Sequence, residues 1–154
     1  MNSSLQTLLD KLKRGGVEFR LIDEKTAMIS SRDVEKVFAG DPREIWKTLV
    51  LTDEKEFFAA FLCGRDRLDV KKLEKAFGVN NIRMAKAREL RERLKLQPGE
   101  VCPLSISLRL VCDSSVTGFK KINFGSGDME YGIEMRVDDV LKFLKPEIMD
   151  IRED

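Results

Sequence analysis

The sequence predicts an α/β (α+β) fold in which helices pack on a mixed β-sheet. Two observations lead to this prediction. Apolar residues recur at helical spacing in some segments and at a period of two in others, and the strands come both as hairpins and as pairs separated by helices. With 154 residues, 42% of them hydrophobic, the chain can build a core without disulfides or a metal. We therefore expect residues 1–154 to form one free-standing domain.

Helices are predicted from apolar residues three or four apart and from the residues that bound them. The first begins at Ser3 or Ser4, whose hydroxyls can cap it, and ends at Gly15. A later one begins after Asp69 and ends at Gly78. All the predicted helices, in chain order, are a segment ending before Gly15, one between Ser31 and Gly40, Val70–Phe77, Ala85–Leu94 and Val137–Leu144.

Strands are predicted where apolar and polar residues alternate or where branched and aromatic residues cluster. Val17–Leu21 alternates and is expected to pair with Ala27–Ile29 across a polar turn. Ile45–Leu51 and Glu56–Cys63 are separated by a polar stretch and predict a central hairpin. The remaining predicted strands are Arg109–Cys112, Phe119–Phe124, Tyr131–Met135 and Ile148–Ile151.

The composition excludes several classes of protein. The net charge of +1 argues against a protein that binds polyanions over much of its surface, so any contact with nucleic acid must be local. The chain has no histidine and so lacks the commonest general base and metal ligand. Its three cysteines form no C-x-x-C pair, which argues against a metal site and favours a reducing compartment. We expect a cytoplasmic protein that needs no metal or cofactor.

No membrane partner is expected either. The longest apolar run, Phe57–Cys63, is far shorter than the ~20 residues that cross a bilayer. The amino end has no basic segment followed by an apolar stretch, so a signal peptide is not predicted.

Lys47 lies inside an otherwise apolar strand. A buried ammonium is costly unless it is paired, so this lysine either extends to the solvated surface or meets an anion. By alternation it shares a strand face with Leu49 and Leu51, which is unusual for a solvated face.

Two glycine-containing turns could serve as binding loops. Gly99–Pro103 could present successive backbone N–H groups to an anion or an oxyanion, or simply connect two elements. Gly125–Gly127 reads as a hairpin or bulge and does not continue into a dinucleotide-binding motif. Cys102 lies in the first turn, but no histidine is present to activate it, so a small loop or core residue is the favoured interpretation.

The strongest basic cluster is Arg83–Lys95, which includes Lys86, Arg88 and Arg91. Such a cluster is commonly a solvated helix face. Here it runs directly into the Gly99 loop, which favours a role in guiding a phosphate backbone toward that loop.

A set of short motifs, taken in chain order, resembles the YbaK family of aminoacyl-tRNA deacylases. This family includes the editing domain inserted in bacterial prolyl-tRNA synthetases. The resemblance covers roughly residues 30–151, and its spacing is more specific than any single motif. The motifs are Lys47-Thr48-Leu49-Val50, Leu68–Leu73, Gly99–Leu104, Asp113, Gly127 and Gly132-Ile133-Glu134-Met135.

The resemblance implies a mixed, partly barrel-like β-sheet surrounded by helices. It also implies a free-standing enzyme that hydrolyses the ester of a mischarged tRNA in trans, with Cys-tRNA(Pro) or Ala-tRNA(Pro) as the expected substrate. The chemistry that the resemblance implies is substrate-assisted and would require neither a histidine nor a cofactor. The implied partners are the acceptor 3′ end of tRNA and prolyl-tRNA synthetase, and the protein would be a monomer or a homodimer.

The resemblance also assigns site residues. Lys47 would hold the 3′-terminal adenosine or its phosphate, and the loop from Gly99 to Pro103 would line the pocket and stabilise the oxyanion. The implied substrate-binding residues are Thr48, Val101, Cys102, Gly125, Ser126 and Gly127. The residues expected to contact the tRNA backbone are Lys86, Arg88 and Arg91.

The chain departs from the family pattern after Gly127, where Asp128 and Met129 stand in place of basic residues. It also lacks the histidine that contacts the substrate amine in some prolyl-type relatives. Two other functions remain open from the sequence: a non-catalytic module of the same fold that binds tRNA or a synthetase, and a hydrolase that uses Cys102.

Overall fold

The computed structural model describes residues 1–23 and 41–154. The predicted strand Ala27–Ile29 and the predicted helix ending at Gly40 lie outside the described residues. Within them, the α/β (α+β) class is confirmed, with helices packed on mixed β-structure. The described strands are divided between two sheets and close no barrel.

The helices largely follow their local signals. Asp69 caps the second helix by accepting hydrogen bonds from two backbone N–H groups, and Gly78 ends it in a left-handed conformation. The first helix is capped by Asn2 rather than by Ser3 or Ser4, because the Asn2 side chain accepts from the Leu5 N–H. The described helices are α1 (Ser3–Arg14), α2 (Val70–Phe77), α3 (Ala87–Glu89) and α4 (Val137–Leu144).

The predicted helix Ala85–Leu94 is shorter and less regular than expected. Only α3 is α-helical, and the chain continues as a π-helical segment over Leu90–Leu94 that ends at Lys95 in the left-handed region. Short 3₁₀ segments cover Pro42–Glu44, Pro98–Glu100 and Ser114–Gly118. The last of these ends at Gly118, and the strand that was predicted from Phe119 begins at Lys121 instead.

The described strands are β1 (Phe19–Asp23), β2 (Trp46–Thr52), β3 (Phe57–Cys63), β4 (Arg83–Met84), β5 (Arg109–Asp113), β6 (Lys121–Gly125), β7 (Tyr131–Arg136) and β8 (Glu147–Met149). The central hairpin of β2 and β3 is confirmed, and it forms the middle of a five-stranded sheet of order β4-β2-β3-β5-β8. In this sheet β5 runs parallel to β3 and to β8, and the other pairs are antiparallel. A three-stranded antiparallel sheet has the order β1-β7-β6.

The first strand pairs with a distant part of the chain. β1 lies antiparallel to β7, with Leu21 opposite Ile133. The alternation of this strand predicts that one of its faces is buried, but it carries no information about a partner more than a hundred residues away.

The main core lies between the two sheets. Leucines of α1 pack there against aromatic residues from both sheets. The Phe61 ring lies 5.2 Å from Trp46 and 5.6 Å from Phe124 between ring centroids. A second core covers the opposite face of the five-stranded sheet, where Phe58 meets Phe77 of α2 at 4.5 Å. Both faces of the hairpin are therefore buried, which explains its nearly continuous apolar sequence.

The two sheets meet where β2 passes β6. A parallel bridge joins Ile45 to Asn123, and the two strands contact each other beyond it. Trp46 and Phe124 point into the main core, so Ile45, Lys47, Asn123 and Gly125 occupy the opposite side of their strands. We call this side of the two strands the junction face; on it Ile45 and Asn123 are buried, Lys47 is half-buried and Gly125 is exposed.

Candidate active site

Lys47 is half-buried on the junction face, and its ammonium is held by the protein. Its Nζ donates hydrogen bonds to the backbone carbonyls of Gly64, at 3.1 Å, and of Asp66, at 2.7 Å. Burial is the main cause that lowers the pKa of this lysine below its ordinary value. An ammonium has three donors, so one N–H of Lys47 has no acceptor among the described residues.

The loop that carries these carbonyls is fastened by the carboxyl-terminal segment. The Asp69 N–H donates to the Ile151 carbonyl and the Glu153 N–H to the Arg67 carbonyl, both at 2.8 Å. The Ile151 N–H in turn donates to the buried Asp113 carboxylate at 2.9 Å. The motif residue Asp113 thereby helps to fix the segment on which the position of the Lys47 ammonium depends.

The Gly99–Pro103 loop packs against the turn that follows β6. A Cβ atom on Gly125 would lie 2.8 Å from the Val101 carbonyl oxygen, so no side chain fits there. A Cβ atom on Gly99 would lie 2.9 Å from Cγ of Met129. The two predicted binding turns are therefore in contact, and Gly125 leaves exposed backbone where they meet.

The side chains of this turn are used to hold its own shape. The buried Ser126 Oγ donates to the Tyr131 carbonyl at 2.7 Å and accepts from the Asp128 N–H at 3.2 Å. Gly127 has a φ of +92°, which favours glycine. Ser126 and Gly127 thus shape the turn, and their side-chain positions offer no free polar group to a ligand.

Asp128 has a structural partner that accounts for its acidic side chain. Its carboxylate accepts a hydrogen bond from the Asn2 backbone N–H at 2.7 Å and one from the Glu130 N–H at 3.0 Å. The Asn2 side chain also donates to the Gly127 carbonyl at 2.9 Å. The departure from the basic family pattern therefore ties the start of α1 to the turn.

Cys102 anchors the loop in the main core. Only 1% of its surface is exposed, and burial raises the pKa of its thiol to about 11. A thiol that is protonated near neutral pH and shielded from solvent is a poor nucleophile. The structure thus disfavours the cysteine-dependent hydrolase and leaves Cys102 a packing residue. Pro103 beside it is buried as well.

The structure does not bring every expected residue to one place. By alternation, the Thr48 side chain lies on the opposite face of β2 from Lys47. Lys47 and Gly125 are each two residues beyond the Ile45–Asn123 bridge, so by alternation both are on the junction face. The hydrogen bonds of Lys47 all go to the Gly64–Asp66 segment, and none reaches the Gly99–Pro103 loop.

Asn123 is a buried polar residue of β6 that was not predicted as a site residue from the sequence. It is 2% exposed, and its amide Nδ2 has no hydrogen-bond partner among the described residues. The only signal in the sequence is a polar residue between Ile122 and Phe124 in the middle of a strand. This pattern does not distinguish a buried amide from one that faces solvent.

The basic cluster begins at the opposite end of β2 from Lys47, and the chain then runs back along β2, because the Ala85 N–H donates to the Val50 carbonyl at 2.9 Å. Arg83 pairs with Thr52 of β2 and forms ion pairs with Glu54 and Glu89 at 2.6 and 2.8 Å. Thr52 is five residues from Lys47, which is about 17 Å along a strand. Lys86, Arg88 and Arg91 are exposed and form no ion pair with any described residue.

In the described parts of the chain, no three metal-ligating side chains are grouped so that they could hold an ion. The described helices also include none that is long and apolar enough to span a bilayer.

Comparison with solved structures shows the same fold in several proteins. One is described as a proposed trans-editing enzyme for prolyl-tRNA synthetase; it has a TM-score of 0.84 and 20% identity, with 100% of this chain and 99% of that chain covered. A protein described only as hypothetical has a TM-score of 0.84 and 22% identity over 95% of this chain and 99% of that one.

The fold also occurs as part of a larger protein. A proposed signal transduction protein from Marinobacter aquaeolei VT8 matches all of this chain over 31% of its own length, with a TM-score of 0.73 and 19% identity. At these identities the structural matches establish the fold alone.

The family is established by sequence. The family model described as the aminoacyl-tRNA editing domain matches residues 26–143, which is well over half of the chain and most of the region in which the motifs resemble the YbaK family. The chain therefore belongs to the aminoacyl-tRNA editing domain family.

Proposed function

We propose that this protein is an aminoacyl-tRNA deacylase that hydrolyses the ester of mischarged tRNA in trans, with Cys-tRNA(Pro) or Ala-tRNA(Pro) as its substrate. The observation that carries the proposal is the junction face. On it Lys47, whose ammonium donates to the Gly64 and Asp66 carbonyls, is on the same side of its strand as the exposed Gly125 of β6, against which the Val101 loop packs. Membership of the editing family supplies the reaction class, and the description of one structural relative supports the link to prolyl-tRNA.

The chemistry needs little from side chains. Water attacks the ester carbonyl, the bond to the ribose oxygen breaks, and the products are the free amino acid and a tRNA with a restored hydroxyl. The free N–H of Lys47 would bind the 3′-terminal adenosine or its phosphate. Backbone N–H groups of the Gly99–Pro103 loop would stabilise the developing oxyanion. A hydroxyl of the tRNA or the aminoacyl group itself would relay the proton from water to the leaving oxygen.

A separate editing enzyme is needed because synthetase pockets discriminate poorly against smaller substrates. One missing methylene changes binding by only ~1–3 kcal/mol, so a pocket built for proline also accepts alanine and cysteine. A second site that admits only the smaller residues can remove them after transfer to tRNA.

Lys86, Arg88 and Arg91 would hold the RNA backbone away from the ester. They follow β4, which pairs with the Leu51–Thr52 end of β2, and because they are exposed and form no ion pair with a described residue, they can bind phosphates without the cost of breaking one. This arrangement would combine local RNA binding with an overall net charge of only +1.

The test is a deacylation panel with tRNA(Pro) charged with labelled cysteine, alanine or proline. We expect release of cysteine or alanine well above the uncatalysed rate and little release of proline, which serves as the matched control. No release from any charged tRNA would contradict the proposal.

One observation favours the second candidate, a non-catalytic binding module. Two of the three Lys47 donors are already bound to backbone carbonyls, which suits a lysine that holds a ligand without acting on it. Such a module would retain mischarged tRNA in a binding assay and leave the ester intact, so the panel and a filter-binding measurement separate the two functions.

A further inference from the structure

Asn123 stands out among the buried polar groups. It lies in the middle of β6, it is 2% exposed, and its Nδ2 finds no acceptor among the described residues. A buried amide that makes no hydrogen bond reduces the stability of the fold, and native proteins rarely keep one without a reason. A ligand that supplies an acceptor would provide that reason.

The surroundings of Asn123 direct it to the junction face. Ile122 and Phe124 on either side point into the main core, so Asn123 points away from it. Its cross-strand neighbour Glu134 is bound by Arg20 through two hydrogen bonds of 3.2 and 2.9 Å, so this carboxylate is already engaged. The parallel bridge to Ile45 leaves Asn123 on the same side of the strands as Lys47.

A second buried donor without a partner provides a contrast. The indole Nε1 of Trp46 also has no partner among the described residues. However, Trp46 is on the core side of β2, where its ring packs against Phe61 and Phe119 at 5.2 and 5.8 Å. Of the two donors, only Asn123 is on the side of the strands that carries Lys47 and the exposed backbone of Gly125.

We propose that Asn123 contacts the substrate and donates a hydrogen bond from its amide to an acceptor on the aminoacylated 3′-terminal adenosine. The inference rests on the proposed function and extends it, because it adds a neutral donor from β6 to the ammonium from β2. The acceptor is either the ester carbonyl or an oxygen or nitrogen atom of the adenosine. Both belong to the same terminus of the substrate.

The test compares two variants of nearly equal shape, Asn123→Val and Asn123→Thr. Both residues are β-branched and suit a strand, but only threonine carries a donor. We expect Asn123→Val to lower kcat/KM on mischarged tRNA by about tenfold to a hundredfold and Asn123→Thr to lower it less. Because valine removes a buried unpaired donor, its thermal unfolding midpoint should equal or exceed that of the wild type.

The kinetic parameter that changes identifies the acceptor. A decrease confined to kcat indicates the ester carbonyl, whose charge grows in the transition state. An increase in KM with kcat unchanged indicates the adenosine. Unchanged kcat/KM in a folded Asn123→Val protein would overturn the inference. Equal losses in both variants together with lower unfolding midpoints would also overturn it, because they would assign Asn123 to packing.

A binding measurement separates this inference from the proposed function. An acceptor-stem minihelix with its amino acid joined through a stable amide bond can bind without being hydrolysed. If the wild type hydrolyses no charged tRNA, the proposed deacylase fails, and Asn123 is still judged by whether Asn123→Val weakens binding of this analogue by about tenfold. Equal affinities of Asn123→Val and the wild type for the analogue would overturn the inference independently of catalysis.

Discussion

The two ends of β2 differ in almost every physical respect. At one end the Lys47 ammonium is half-buried and Asn123 of β6 is buried, and neither the third N–H of Lys47 nor the Asn123 amide has a partner among the described residues. Around Arg83 the side chains are exposed and densely charged. Burial strengthens a hydrogen bond and makes it selective, whereas exposed charge acts over a longer distance and is screened by salt. The proposed function assigns the chemistry to the first end and the capture of RNA to the second.

The largest effect is expected from Lys47→Ala. If the ammonium binds the substrate terminus, its loss should lower kcat/KM by about a hundredfold or more, with the fold retained. Deacylation rates and thermal unfolding of the purified variant measure both properties. Lys71→Ala removes an exposed lysine from α2 and is the matched control. An unchanged rate in Lys47→Ala would show that this end of β2 is not the active site.

A smaller effect, on substrate binding rather than on the rate of the reaction, is expected from the basic cluster. Replacing Lys86, Arg88 and Arg91 together by alanine should raise KM by about tenfold at low salt and leave kcat unchanged. It should also reduce the slope of log affinity against log salt by about 2 to 3, at roughly 0.7–0.9 for each phosphate contact. Alanine at Lys11, Lys13 and Arg14 of α1 makes the same change in net charge and is the control. A fall in kcat would contradict the division of roles.

The pH dependence of Lys47 should sharpen the comparison. Its pKa lies below the ordinary lysine value because of burial, so the charged form is lost at a lower pH than for an exposed lysine. Affinity for the amide-linked minihelix should therefore fall on the alkaline side before pH ~10.4 is reached. Lys47→Arg, which stays charged, should keep its affinity for the minihelix over this alkaline range. If the affinity of Lys47→Arg falls over the same range, another group is responsible for the titration.

The smallest effect is expected from Cys102→Ser. Because the thiol is buried in the core, the variant should retain deacylation within about threefold, well under the cost of losing one catalytic donor. Since burial raises the pKa of the thiol to about 11, native protein should react slowly with iodoacetamide at pH 8. The contribution of the protonated Cys102 thiol to the stability of the fold is complete below pH ~8.5 and is lost as the pH rises toward 11. A hundredfold loss of deacylation in Cys102→Ser would contradict this prediction and favour a mechanism in which Cys102 is the nucleophile.

The parts of the fold that could be predicted are those with local signals. Asp69 and Gly78 bound α2 because a cap and a left-handed residue act on their immediate neighbours. The hairpin of β2 and β3 joins strands that are adjacent in sequence. The pairing of β1 with β7 and the division into two sheets depend on contacts more than a hundred residues apart, which periodicity does not encode.

The candidate site was predicted only in part. An apolar strand around Lys47 signals a buried lysine, and the glycines mark the turns. The carbonyl partners of Lys47 could not be predicted, because Gly64 and Asp66 have no distinctive sequence pattern. The positions of Asp128 and Asn123 could not be predicted for a related reason. Asp128 accepts a hydrogen bond from Asn2, and Asn123 forms a bridge with Ile45, and both partners are distant in the sequence.

The division of roles along β2 is tested most directly by single-turnover hydrolysis of a mischarged acceptor-stem minihelix at saturating concentration. The minihelix presents the ester to the Lys47 end and removes most of the RNA available to the basic cluster. We predict that it is hydrolysed with the same maximal rate as full-length mischarged tRNA, reached at a higher concentration, and that Lys47→Ala lowers this rate by about a hundredfold or more. A minihelix that stays intact while full-length tRNA is deacylated would contradict the division of roles.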